Sequence, residues 1–235
     1  MECLASFRKY FTFAGIFCSL MTIPDLTLST ALSIESVHLT KKQRTVLGAA
    51  KRLLETYEIS YVYGGQRIGD TEECYSCNQC LAEKKPRPTE RQIHCPVCTS
   101  CSLDCSHFVN LVFKEAGMPL PYLTSLDMSN LSPTALKKKF HLIDLGRNPS
   151  KVRPGDLLVY RGHVVMLEAL TPSEILKLNA GSKASGPLTL RGDILHATGG
   201  QAIRMPGAAI QRERFIDLSN FRGQLLRILR HEELQ

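Results

Sequence analysis

Six of the chain's nine cysteines share one repeated pattern. CYSCNQC sets Cys74, Cys77 and Cys80 at C-x2-C-x2-C, and CPVCTSC repeats the spacing with Cys95, Cys98 and Cys101. No other feature limits the fold as tightly. Paired C-x2-C knuckles can each present two thiolates to one tetrahedral ion. The simplest metal set is then one structural zinc on Cys74, Cys77, Cys95 and Cys98, with Cys80 and Cys101 left over. An even count suits three disulfides equally well if the chain enters an oxidising compartment. The knuckle spacing leans to zinc, and the disulfide reading stays open beside it. On either reading, the cross-links staple residues 66–103, a polar stretch with a basic middle, EKKPRPTER, and almost no apolar core.

The N-terminus bears on that choice. Arg8 and Lys9 precede an uncharged apolar run from Tyr10 to Ile23, and Ala31-Leu32-Ser33 offers small residues for cleavage. Residues 1–33 therefore read as a signal peptide or N-terminal anchor, with export to the periplasm or cell envelope and membrane proximity through this segment. The run is short for a transmembrane helix. The remaining residues, 34–235, read as one domain with the cysteine-rich insert at 66–103. Hydrophobic residues make up 43% and charged residues 22% of the 235, as in ordinary globular chains. The net charge of +7 favours an anionic partner. No recognition helix or aromatic-basic motif accompanies it, so no nucleic-acid partner is expected.

Periodicity outlines the rest. Thr40 to Gln43 forms a capping box, and Val46, Leu47, Ala50, Leu53, Leu54 and Tyr57 then recur at helical spacing over 41–57. ISYVYGG reads as a short strand stopped by glycines. Beyond the insert, Cys105, Phe108, Val109, Val112, Phe113 and Ala116 share a helix face that Gly117 ends. Residues 122–150 read as loop and short helix. VRPGDLLVYR and HVVMLEAL read as a hairpin, SEILKL as a short helix, and ILHAT and QAIRM as strands separated by Gly199-Gly200. FRGQLLRILR fits strand or helix. The order predicts an α+β fold with helices packed on one side of an antiparallel sheet.

Cys105 stands apart from the six upstream cysteines. Asp104 is a plausible N-cap, so Cys105 falls in the first turn of its helix, where free amides and the helix dipole favour a thiolate. A thiolate nucleophile needs a base. His163, at a strand start after Gly162, is the first candidate, and His196, inside ILHAT, is the second. His107 points to a different helix face from Cys105 and is not chosen as base. A lone cysteine on an apolar helix face is usually core packing, and a histidine between apolar residues is usually structural. Cysteine, histidine and histidine on helix, strand and strand is nevertheless the set a cysteine hydrolase needs.

EISYVYGG, DCSHFVNLVFKEAGM, MPLP, PGDLLVY, GHVVML and ILHAT together resemble the NlpC family of bacterial cell-wall cysteine peptidases. The resemblance spans roughly residues 40–230. It implies a papain-like α+β fold, Cys105 as nucleophile, His163 as general base and His196 as orienting residue. Tyr61, Asp104 and Ser106 would bind substrate. The implied substrates are peptidoglycan stem peptides, cut at the D-glutamyl to diamino-acid bond through a thioester, with no catalytic cofactor.

Several positions depart from the family pattern. His107 stands where the family has glycine after DCS, Val165 replaces a glycine after the base, and Tyr122 replaces a basic residue after LP. The insert at 66–103 and the long segment 168–193 both attach beside site residues. These departures keep other readings in play: a muramoyl-alanine amidase or acyltransferase on the same triad, a non-catalytic module binding wall or partner, and a zinc-dependent nucleic-acid binder.

Overall fold

The computed structural model describes residues 39–56, 58–83, 95–118, 120–171, 174, 190–200 and 204–235. The leader expected at 1–33 lies outside the described residues, as does SEILKL apart from Glu174.

Helix α1, Lys41–Thr56, opens on the expected capping box: Gln43 N–H donates to Thr40 Oγ1 at 3.1 Å, and Thr40 N–H donates to Gln43 Oε1 at 2.9 Å. Strand β1, Ser60–Val62, follows. Gly64, at φ +81°, turns the chain into β2, Gln66–Arg67. The insert is more ordered than its polarity predicts. It contains helix α2, Thr71–Glu83, a 3-10 turn at Pro96–Thr99 and strand β3, Ser102–Leu103. It also has a small core in which Cys77, Leu81, Cys95 and Cys98 bury with Val62.

Helix α3, Cys105–Glu115, begins directly after β3. Gly117, at φ +71°, ends it. Residues 122–150 hold more structure than expected. They form α4, Ser125–Asn130, α5, Pro133–Phe140, and β4, Leu142–Asp144. Then come β5, Leu157–Tyr160, and β6, His163–Leu170, which form the expected hairpin. β7 is Arg191–Ala197, β8 is Arg204–Ala208, β9 is Ile210–Asp217, and β10, Arg227–His231, settles the ambiguous tail as strand.

Six of the strands form an antiparallel sheet in the order β4-β10-β5-β6-β7-β9. The others form a small mixed sheet, β2-β3-β1-β8, in which β1 and β3 run parallel. Residues 201–203 lie outside the described residues, and β8, which holds Arg204 and Met205 of the expected QAIRM strand, lies in the small sheet rather than beside β7. It crosses to β1, and Ala209 joins the sheets, its N–H donating to Ile59 O at 2.8 Å and its carbonyl accepting from Thr198 N–H at 2.7 Å.

The large sheet is apolar on both faces, and strand alternation divides its residues. Leu157, Val159, Val164 and Met166 face the core built with Val46, Phe108, Val112, Met128 and Leu136 of the helices. Leu158, Tyr160, Val165 and Leu167 face a second cluster capped by Leu218, Phe221 and Leu225, with no helix residue in it among the described residues. The fold is α+β, with helices on one side of an antiparallel sheet, as the sequence predicts. PGDL secures a corner of this sheet: buried Asp156 takes both Nε and Nη2 of Arg230, at 2.7 and 2.8 Å. Truncating one partner of such a buried pair costs about 3–5 kcal/mol.

Candidate active site

The six insert cysteines close as three disulfides, Cys74–Cys101, Cys77–Cys98 and Cys80–Cys95. This corrects the lean to zinc on Cys74, Cys77, Cys95 and Cys98. The reason is the backbone. The first block rides one face of α2, where i, i+3 and i+6 stay nearly aligned. The second block runs past it in reverse order, so each sulfur meets one partner with Cα atoms 4.9, 4.7 and 6.0 Å apart. Among the described residues, no cluster of three or more His, Cys, Asp or Glu could hold a metal.

Cys105 is the free cysteine of this region, 6% exposed, at the first position of α3. Asp104 caps that helix. Its Oδ1 accepts from the His107 backbone N–H at 2.9 Å and the Ser106 hydroxyl at 2.9 Å, and lies 3.0 Å from His107 Nδ1. Its Oδ2 accepts from Gly64 N–H at 3.1 Å, tying the turn after β1 to the start of α3. Burial pushes the Asp104 carboxyl up. The hydrogen bonds and charge of His107 and the Ser106 bond outweigh it and hold the carboxyl below its ordinary value.

Helix α3 packs against β6 and β7, which carry the two histidines. Cys105 packs in the same buried cluster as Val164, next to His163. His163 Nε2 lies 2.7 Å from His196 Nδ1, both rings buried. His163 therefore has its Nδ1 left for another partner. If that nitrogen accepts, Nε2 carries the proton and donates to His196 Nδ1, which puts the His196 proton on Nε2 (a tautomer assigned from the network). His196 Nε2 is buried without an aligned acceptor, and Glu213 Oε1 on β9 is 2.9 Å away. The pair is thus an electrostatic contact that a small rotation would turn into a hydrogen bond.

At the Cys105 thiol, burial outweighs the lowering expected from the helix start. Burial, then the charge of Asp104, pushes Cys105 up to about 11, against the backbone N–H groups of Val164, Ser106 and Cys105 itself. Burial, then the charge of Arg222, lowers His163 to about 4. Burial, then His163 and Arg222, lowers His196 to about 3. Burial thus favours the neutral form of the Cys105 thiol and of both imidazoles. Burial also raises Tyr61, with the charges of Cys105 and Asp104 adding to it, so its hydroxyl stays protonated near the sulfur.

The remaining candidate, Ser106, is buried and its hydroxyl is engaged by Asp104, with Tyr122 Oη 3.2 Å away. Two departures from the family pattern meet here: the His107 ring stacks on Tyr122 at 4.0 Å and 19°. A glycine at 107 would leave both Tyr122 and Asp104 short of a contact.

Sequence reasoning missed Glu213, Phe221 and Arg222. Phe221 sets its edge against His196 at 5.6 Å and lies 6.4 Å from His163. Glu213 was invisible without the β7–β9 register, whereas the FRG turn could have marked the loop.

No family model matches the chain, and no curated protein matches it. Among solved structures, it is similar to the peptidoglycan hydrolase RipB from Mycobacterium tuberculosis, with a TM-score of 0.39 and 15% sequence identity. The match covers 80% of this chain and 66% of that one, just under two thirds.

Proposed function

We propose that the protein is an exported cysteine peptidase acting on peptidoglycan stem peptides. One observation carries this reading: a free, buried cysteine at a helix N-terminus abuts a strand whose first residue, His163, is bonded to His196. The motif resemblance of the sequence supports the substrate, and three disulfides support an oxidising compartment.

Attack begins from the neutral pair. The thiol proton passes to His163 Nδ1 as Sγ bonds to the scissile carbonyl carbon, and His196 accepts a hydrogen bond from the new imidazolium. The N–H groups of Cys105 and Ser106, at the free start of the helix, would take up the negative charge that develops on the carbonyl oxygen. The tetrahedral intermediate expels the amine, which takes the proton from His163. The resulting thioester is attacked by water, which His163 deprotonates. The acid is released and the thiol restored. The bond proposed for cleavage joins D-glutamate to the diamino acid.

Muropeptide digestion tests this, with products identified by mass. Loss of that bond with wild type, and its persistence with Cys105→Ala, is the expected result. Loss of the muramoyl-alanine bond instead would make the protein an amidase. The raised Cys105 pKa favours a second reading, a silent binding module, which requires that wild type and Cys105→Ala both leave the muropeptides intact.

A further inference from the structure

We propose that Arg222 forms an anion subsite that receives a free carboxylate flanking the scissile bond; this rests on the acyl-transfer reading of the site. The loop after β9 buries Leu218, Phe221 and Leu225 against the second core. Arg222 and Gly223 then both take positive φ, +53° and +108°. A left-handed arginine is uncommon and strained. That turn brings the exposed guanidinium back over the Phe221 ring, 5.5 Å from its centre, where Nη1 donates to Thr198 Oγ1 at 2.7 Å. Thr198 is buried two residues after His196, and the same Phe221 ring meets His196 edge-on. The cation is therefore aimed at the histidine pair and held there.

Its charge is unspent. Arg212, Arg227 and Arg230 each meet a carboxylate, Glu168, Asp144 and Asp156, at 2.6 to 3.1 Å. Arg222 pairs with no carboxylate among the described residues, and one donor of its planar fork is used. Asp104, the acid nearest the nucleophile, is engaged at both oxygens. The unpartnered charge at the site is thus positive, and it fits a carboxylate better than an ammonium. Arg222 also acts on Tyr61, His163 and His196, opposing protonation of both imidazoles. A bound carboxylate would screen that charge and let His163 take the thiol proton more readily. In a glutamyl stem peptide the matching group is the free α-carboxylate, absent when that position is a carboxamide.

Alkylation of Cys105 by iodoacetate and by neutral iodoacetamide at pH 9 tests the subsite without any peptide substrate. The readout is the ratio of the two rates, relative to free cysteine, in wild type, Arg222→Gln and Arg222→Lys. Disulfide mapping and circular dichroism confirm that the variants are folded. Wild type should favour iodoacetate by about 10-fold, as a steering cation does. Arg222→Gln should abolish the preference, Arg222→Lys should keep part of it, and salt should erode it. Equal ratios in wild type and Arg222→Gln overturn the proposal, and so does failure of both reagents to reach Cys105. Muropeptide digestion run in parallel separates the two readings. Normal hydrolysis with an unchanged ratio sinks only the subsite, whereas an Arg222-dependent ratio without hydrolysis sinks only the peptidase.

Discussion

Cys101 and Cys105 are four residues apart, and both are buried, at 0% and 6% exposure. One is bonded to Cys74 and the other is free. Burial does not separate them; what their sulfurs meet does. Cys101 ends a ladder whose partner helix runs alongside at bonding distance. Cys105 opens a new helix and packs in the main core with Val164 of β6. The short β3 between them is the hinge of the difference, because it locks to β1 and β2 and fixes where α3 starts. The ladder therefore acts as a rigid mount, and Cys105 is the group it holds out.

Breaking the free thiol should have the largest effect. Cys105→Ala should lower muropeptide turnover by at least about 1,000-fold, with all three disulfides intact by peptide mapping. Next is the histidine relay. His196→Ala should reduce kcat/KM by about 100-fold. Glu213→Gln should cost less, and mainly in kcat, since among the described residues the Glu213 carboxylate pairs with His196.

Breaking the ladder should damage stability rather than chemistry. The double variant Cys77→Ala with Cys98→Ala should lose about 2–4 kcal/mol in denaturant unfolding. It should retain turnover below its lowered Tm.

The pH dependence sharpens the contrast further. The free thiol and the imidazoles titrate, and the ladder does not. His163 must be neutral to accept the proton, so kcat/KM should fall as pH drops through about 4 and stay level through neutrality. The same histidines have folded pKa values below their unfolded value near 6.5. The unfolded chain then binds more protons between about 3 and 6.5, so stability is full above that window and is lost as pH falls through it. Replacing both His163 and His196 with Gln should flatten the stability change between pH 7 and pH 5, read by thermal melts.

Much of this contrast was legible in the residues. Helix α3 followed from the spacing of Phe108, Val109, Val112 and Phe113. The β5–β6 hairpin followed from PGDLLVY and HVVML around Arg161-Gly162. The cysteine pairing was not, because C-x2-C spacing is common to zinc knuckles and to one face of a helix, and only the partner's direction decides between them. The same spacing was also the overlooked sign of α2. The thiol's acidity was misjudged for a related reason: the helix start was visible, but burial under β6 was not. His107 was unexplained until Tyr122, fifteen positions on, came to stack against it. Glu213 and Arg222 depended on strand register and a left-handed turn, neither of which a linear pattern encodes.

The most direct measurement is native iodoacetamide labelling with peptide mapping and parallel muropeptide digestion. Modification is expected at Cys105 and at none of the six ladder cysteines. The rate should rise toward a midpoint near 11, and hydrolysis should disappear in proportion to labelling. Hydrolysis that persists on protein fully labelled at Cys105 would contradict Cys105 as the nucleophile.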